Sequence, residues 1–145
     1  LAHIQNPVRG NIPLASIRAD TGRRDGCAGC HNGSHHPFVN EWRESAHGRM
    51  TAWSASGPNT RADCQGCHTG QGALTAMGVD ARSNYKERVA TITAANAERI
   101  TCAVCHDPHS GQITGQLRLP IDVPDVNRNL CMSCHQKRGA PDLGT

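Results

Sequence analysis

The hydrophobic and polar positions of this chain follow a regular period over only a few short stretches. Apolar side chains recur at helical spacing in residues 41–53 and again in residues 83–100, so each of these stretches predicts a helix. Thr60, with Asp63 three residues later, resembles a capping box and predicts a short helix that leads into residue 64.

Proline and glycine interrupt the remaining segments. Residues 1–26 predict an extended N-terminal arm, and residues 70–78 predict a loop. Residues 117–123 alternate apolar and polar positions as a strand does, but nearby prolines restrict them to an edge strand or an extended ribbon. Asp125 can cap a last short helix. The pattern therefore predicts a mostly irregular fold with a few short α-helices and little strand.

The composition argues against an ordinary hydrophobic core. Hydrophobic residues make up 37% of the 145 positions and aromatic residues only 3%, whereas glycine occupies 15 positions and proline 8. The length corresponds to a single domain, residues 1–145, but this composition cannot bury enough apolar surface to offset the entropy of ordering the chain. Folding therefore requires another source of apolar surface.

A five-residue unit, Cys-x-x-Cys-His, occurs four times and uses all eight cysteines. The four copies consist of Cys27, Cys30 and His31; Cys64, Cys67 and His68; Cys102, Cys105 and His106; and Cys131, Cys134 and His135. This spacing is the attachment signature of c-type haem, in which both thiols bond to vinyl groups and the histidine ligates the iron. A zinc protein would not require a histidine after every cysteine pair. The sequence thus predicts four covalently bound haems.

Four haems change the expected architecture. Each one brings a large apolar surface and a covalent cross-link, so the haems replace the hydrophobic core, and the chain without them is not expected to fold. The motifs begin at residues 27, 64, 102 and 131, which are 37, 38 and 29 residues apart. At this density the haems must stack closely.

The occupant of the second axial position of each iron decides between electron transfer and catalysis, because a substrate needs an open position. We predict that His35, His36, His47 and His109 are distal ligands, and His3, in the N-terminal arm, is the weakest candidate. His35 and His109 follow a motif histidine too closely to cross their own haem, so each is expected to ligate a neighbouring haem. His47 can reach the first or the second haem.

The formal charge of +3 changes once haem is attached. Two propionates per haem and the charge of each ferric centre bring the total to about −1, so nucleic-acid binding is not expected. No apolar run is long enough to predict a membrane span. Because covalent haem attachment takes place outside the cytoplasm, we expect an extracellular or periplasmic protein whose secretory signal has been removed.

The segment from Cys102 to His135, with CAVCHDPHSG, LRLP and LCMSCH, resembles the doubled CxxCH motif of multihaem cytochromes. In that family the histidine after CHxP is an axial ligand, a role that the resemblance gives to His109. Residues 41–47 resemble the W-x-x-S-x-H element that often supplies a distal histidine in tetrahaem cytochromes related to those of nitrogen oxidation. Together these two resemblances cover about half of the chain.

The haem number, the short length and the histidines behind the first motif also resemble extracellular cytochromes that polymerise into filaments. In those proteins a histidine near the first motif can ligate a haem of the next subunit. Adjacent residues in an extended turn point in different directions, so His35 and His36 cannot easily serve one haem. One of them is therefore free to join chains head to tail, in a contact that generates an open filament.

The sequence therefore predicts an electron carrier with four bis-histidine haems, no catalytic residue, and redox proteins or extracellular electron acceptors as partners. Two alternatives remain open. One is a haem enzyme of nitrogen-oxide chemistry with one five-coordinate iron, and the other is a soluble periplasmic shuttle that does not self-associate.

Overall fold

The computed structural model describes residues 5–6, 27–29, 31, 33, 35–79, 91–107 and 111–136. Its α-helices are α1 (Phe38–Glu44), α2 (Ala46–Arg49), α3 (Ala62–His68), α4 (Gly70–Ala76), α5 (Cys102–Cys105) and α6 (Met132–His135). Short 3-10 helices cover Cys27–Gly29, Pro58–Thr60 and Thr114–Gln116. Most of the N-terminal arm, His3, Cys30, His109 and the first part of the predicted helix 83–100 lie outside the described residues.

The predicted fold class is confirmed: short helices are joined by irregular segments. The described part of the chain contains no strand, and its single isolated bridge pairs His106 with Leu117 in the antiparallel sense. The alternating pattern of residues 117–123 does not produce a strand, because the segment bends at residues 118, 119, 121 and 122.

The helix predicted over residues 41–53 is divided at Ser45 and ends at Arg49. The Ser45 hydroxyl donates to the carbonyl of Trp42 at 2.6 Å and accepts from the backbone N–H of Gly48 at 3.2 Å. A serine side chain that bonds to nearby backbone groups in this way competes with the helix and caps the next one. The prediction of helix in this stretch is confirmed, but the helix begins earlier, at Phe38, and the prediction missed both this division and the end at Arg49.

The loop predicted over residues 70–78 is wrong, because Gly70–Ala76 forms α4. The Thr69 side chain caps this helix by accepting from the N–H of Gly72. A Cβ atom on Gly72 would overlap the carbonyl group of Gln65 in α3. Glycine therefore allows close packing of α4 on α3 here, and does not mark a break.

The short helix predicted before residue 64 is present as α3, but its predicted cap is wrong. Arg61 occupies the N-cap position without a side-chain hydrogen bond. The Thr60 hydroxyl donates instead to the carbonyl of Gly57 at 2.8 Å, because Pro58–Thr60 already forms a separate 3-10 turn. Thr60 therefore stabilises the preceding turn.

Asparagine side chains hold three of the irregular segments together, and each bonds to backbone groups of its own segment. Asn59 donates to the carbonyls of residues 51 and 52 and accepts from the N–H of residue 54. Asn96 accepts from the N–H of residue 93 and donates to the carbonyl of residue 91. These Asn96 bonds close a turn. The predicted helix is therefore absent from residues 91–100.

Asn129 holds the third segment and performs the capping role predicted for Asp125. Its amide nitrogen donates to the carbonyls of Ile121 and Val123, at 2.8 and 3.2 Å. Its amide oxygen accepts from the N–H groups of residues 131 and 132, at the start of α6. Asp125 caps a preceding turn by accepting from the N–H of Asn127.

The apolar core of the described residues is small. One cluster joins Leu74 of α4 to Ala103 of α5, and the other joins Ala73 to Ile100 and Val104. These residues offer little apolar surface, as the composition predicted. No helix of the described part is both long enough and apolar enough to cross a membrane.

Replacing Gly72 by alanine tests the contact between α3 and α4. The added methyl group would overlap backbone atoms that cannot rotate away, so Gly72→Ala should lower the free energy of unfolding by about 1–3 kcal/mol. Denaturant unfolding of the haem-loaded protein, followed by circular dichroism, measures the change. Gly111→Ala is the matched control, because its Cβ atom would meet no atom within 4 Å. Equal losses in both variants would contradict the packing explanation.

Candidate haem sites

The described residues of all four Cys-x-x-Cys-His motifs lie in or next to a helical turn. In the first, third and fourth motifs the histidine N–H donates to the carbonyl of the first cysteine, at 2.9, 2.8 and 3.0 Å. The second motif lies entirely within α3. Residues three apart lie on the same side of a helix, so in the second, third and fourth motifs this turn directs both thiols to one side. The histidine follows at the end of the turn.

The cysteines are chemically available for haem attachment. All seven described cysteines are free thiols, and Cys30 is the one that lies outside the described residues. Two thiols on one side of a turn match the two vinyl groups on one porphyrin edge, and the adjacent histidine matches the iron. The donor set and the local geometry of the motifs therefore fit covalent haem.

The His106 imidazole is oriented for metal binding by a backbone carbonyl. Its Nδ1 atom lies 2.6 Å from the carbonyl oxygen of Gly115, and a carbonyl can only accept a hydrogen bond. The Nδ1 atom therefore carries the proton, which leaves Nε2 unprotonated and able to ligate iron. Gly115 adopts a φ of 73°, a left-handed conformation that glycine tolerates.

A cleft of about 430 Å³ lies next to the histidine of the second motif. His68 and Arg61 line it together with the turn at residues 56–60. The Arg61 guanidinium is exposed and donates to the sulfur of Cys64 at 3.0 Å. This cleft places apolar space and a positive charge beside a haem-attachment turn. Both suit a porphyrin that carries propionates.

Attachment cysteines of different motifs lie close together. The Cys102 thiol donates to the sulfur of Cys27, which lowers the pKa of Cys27 to about 7 and raises the pKa of Cys102. Burial raises the pKa of Cys105, and the nearby Cys131 raises it further. The sulfur of Cys134 contacts the carbonyl oxygen of Gly66, in the second motif, at 3.9 Å. The first motif thus lies beside the third, the fourth lies beside the second, and thiols of the third and fourth motifs are near enough to influence each other electrostatically.

Arg118 fixes the end of the third motif. Its Nε donates to the carbonyl of Ala103 at 3.1 Å, and its backbone N–H donates to the carbonyl of Cys105 at 2.9 Å. The guanidinium also pairs with Asp107 at 3.4 Å, and its side chain is only 9% exposed. Sequence analysis did not identify this residue, although the excess of arginine over lysine was a signal of ionic roles.

Two histidines predicted as distal ligands lie next to motif histidines. The ring centres of His47 and His135 are 6.0 Å apart, with 51° between the ring planes. Partial burial of the ring lowers the pKa of His47, and the neighbouring His135 lowers it further. His47 is thereby biased towards the neutral form that ligates metals. The structure places His47 beside the fourth motif, whereas the sequence pointed to the first or second haem.

The second pair consists of His31 and His36, whose ring centres lie 5.8 Å apart. The Phe38 ring lies 5.6 Å from His31 and 6.0 Å from His36, so the three rings form a nearly equilateral triangle. His35 and His36 are both exposed. His109 and His3 lie outside the described residues, so the structure does not locate these predicted ligands.

The element that carries His47 is held by contacts with the segment before the third motif. The Trp42 indole donates to the carbonyl of Ile100 at 2.9 Å, and the Arg99 guanidinium donates to the carbonyl of Gly48 at 2.6 Å. Gly48 is buried, and a Cβ atom there would overlap the carbonyl of Trp42. Each residue around His47 thus has its own role in the turn that carries it. Trp42 anchors the turn, Ser45 caps it, and Gly48 allows its close packing.

Comparison with protein families agrees with this local geometry. Residues 94–140, about a third of the chain, match the family model of the doubled CXXCH motif. The match supports a multihaem c-type cytochrome with covalently bound haem c and a role in electron transfer. A search of curated proteins found no match. A search of solved structures found none either.

Thiol alkylation tests haem occupancy at every motif. If all eight cysteines form thioethers, the denatured and reduced haem-loaded protein should take up no iodoacetamide, because no thiol remains. Intact-mass spectrometry measures the uptake. The same chain produced without haem is the control and should take up eight groups. Alkylation of one cysteine pair in the loaded protein would identify a motif that lacks haem.

Proposed function

We propose that this protein is a tetrahaem electron carrier in which every iron has two histidine ligands. Haem supplies one-electron redox chemistry when it is bound. The cysteines attach it, the motif histidines supply the proximal ligands, and further histidines close the distal positions. A closed distal position leaves no site for a substrate, so the proposal assigns no catalytic residue.

The proximity of attachment cysteines from different motifs carries this proposal. Only the vinyl carbon separates a thioether sulfur from the porphyrin ring, so neighbouring sulfurs imply neighbouring haem edges. Cys27 contacts Cys102, and Cys134 contacts the second motif at Gly66. Haem edges that are close together allow electrons to pass between them. With the electrostatic influence of Cys131 on Cys105, these contacts support a path from the first motif through the third and fourth to the second.

The chain also supplies groups that can adjust the redox potentials. Hydrogen bonds to an axial imidazole and charges near the haem change its electronic properties. The Gly115 carbonyl bonded to His106 fixes the orientation of that imidazole and strengthens it as a metal ligand. The ion pair of Arg118 and Asp107, next to the third motif, adds a dipole whose positive end is poorly exposed. Both groups act at the third motif, which lies inside the proposed path.

Electron paramagnetic resonance of the oxidised protein tests the proposal, together with its intact mass. We expect a mass increase of four haems and four low-spin ferric centres, because two imidazoles create a strong ligand field on each iron. The same spectrum distinguishes the alternative enzyme. A high-spin signal that accounts for about one haem per chain would replace the carrier by a protein with an open iron position.

We further propose that the protein acts outside the cytoplasm and self-associates head to tail. The support is the exposed surface at His36 and Phe38, of which Phe38 is 53% exposed. An exposed imidazole can ligate a haem of a second copy, and an asymmetric contact of this kind does not close on itself. A continuous row of haems would then cross the joint between subunits, with other redox proteins or extracellular acceptors at its ends.

Negative-stain electron microscopy of two variants tests this assembly. His36→Ala should abolish filaments and leave three low-spin haems, because the ligand to the neighbouring copy is lost. His35→Ala, which removes the adjacent exposed imidazole, is the matched control and should retain filaments. A wild-type protein that sediments only as a single chain with its haems, under every salt and pH condition, would rule out the polymer.

A further inference from the structure

We infer that His47 is the distal ligand of the haem attached at Cys131 and Cys134, opposite His135. The inference rests on the proposed bis-histidine function and names the iron that one distal histidine serves. His47 is 16 residues from His31 but 88 residues from His135, so sequence distance favours another haem. The fold brings the distant pair together.

The separation of the two rings matches a shared metal ion. An imidazole nitrogen binds a transition metal at about 2 Å, and the ring centre lies about 1 Å behind that nitrogen. Two imidazoles on opposite sides of one ion therefore have ring centres roughly 6 Å apart. The His47 and His135 rings are 6.0 Å apart. Their 51° interplanar angle is also compatible, because each ring can rotate about its own bond to the metal.

The pair of His31 and His36 has a similar separation but fails a second geometric test. The triangle formed with Phe38 puts that ring about 5 Å from the midpoint of the two imidazoles. This position lies beside the midpoint, in the plane that a shared porphyrin would occupy, and the macrocycle extends that far from its iron. Phe38 therefore excludes a haem shared by His31 and His36.

No corresponding obstruction is found at His47 and His135. In the described part of the chain, neither of these imidazoles has a ring contact other than the one between them. Space for a porphyrin between the two rings is therefore not occupied by a third aromatic side chain of this part.

The position of His47 is fixed by groups that belong to other segments. The Trp42 indole on α1 bonds to Ile100, and the Gly48 carbonyl on α2 bonds to Arg99. Both partners lie immediately before the third motif. Ser45 fixes the angle between α1 and α2 by bonding to both. These bonds fix the backbone around His47. A histidine on a fixed backbone is suited to bind a metal at a defined distance.

Spectroscopy of His47→Ala tests the assignment. One haem per chain should become high-spin in the oxidised protein, and added imidazole should restore the low-spin state by entering the vacated position. The affected haem is identified by nuclear Overhauser contacts from its thioether protons to Cys131 and Cys134. Arg49→Gln, on the same helix and exposed, is the matched control and should leave every haem low-spin.

A measurement on the unaltered protein applies even if the variant does not fold. The ring protons of His47 should show hyperfine shifts and Overhauser contacts to the haem attached at Cys131 and Cys134. Contacts to a haem attached at the first or second motif would overturn the assignment but leave bis-histidine ligation intact. If all four irons are low-spin but the His47 ring protons have diamagnetic shifts, the assignment is likewise overturned and bis-histidine ligation remains intact. A high-spin iron at the fourth motif of the unaltered protein would overturn both proposals.

Discussion

The hydrogen bond from a motif histidine N–H to the carbonyl of the first cysteine is the constraint on which the rest of the structure depends. It closes one helical turn and so sets two thiols and an imidazole for a single porphyrin edge. A helix of one turn is unstable alone, because nucleation costs more than a single bond returns. Two side chains therefore support these turns. Arg118 bonds to a carbonyl of α5, and Asn129 accepts hydrogen bonds from the N–H groups at the start of α6. Covalent haem would cross-link each turn further.

A chain whose apolar core is small must satisfy its irregular backbone in another way. The side chains of Asn59 and Asn96 bond to backbone groups that precede them, and the side chain of Asn129 bonds to backbone groups on both sides of its own position. Asn59 and Asn129 are only 3% and 8% exposed, so these bonds are protected from water. Buried backbone groups rarely remain unpaired. In these segments asparagine side chains supply the hydrogen bonds that neighbouring strands supply in a sheet.

Sequence reasoning succeeded where structure is local and failed where distant segments decide it. The fold class could be predicted because composition limits the core, and the motif chemistry because five consecutive residues contain it. The helix at Gly70–Ala76 could not, because its glycines resemble a loop until Gln65 of α3 is placed against Gly72. Residues 91–100 have a helical period, but the Asn96 side chain captures their backbone.

The pairing of distal histidines is the clearest example of this limit. The element Trp42 to Gly48 can be recognised in the sequence, but the direction in which it presents His47 depends on bonds to residues 99 and 100. Those bonds place the imidazole beside His135, which is 88 residues away. The spacing of residues along the chain does not predict this neighbour. The resemblance predicted that His47 is a ligand, and only the tertiary contacts show that its neighbour is His135.

Distance alone also does not determine which imidazoles can share a metal. The two histidine pairs differ by only 0.2 Å in ring separation, yet one has a phenyl ring beside its midpoint. Phe38 contacts both His31 and His36, so its ring lies where a haem shared by these two histidines would have to lie. His36 itself is exposed, which is why it is proposed as a ligand to a second copy of the chain. One aromatic residue in an aromatic-poor chain thus distinguishes two histidine pairs whose ring separations are nearly equal.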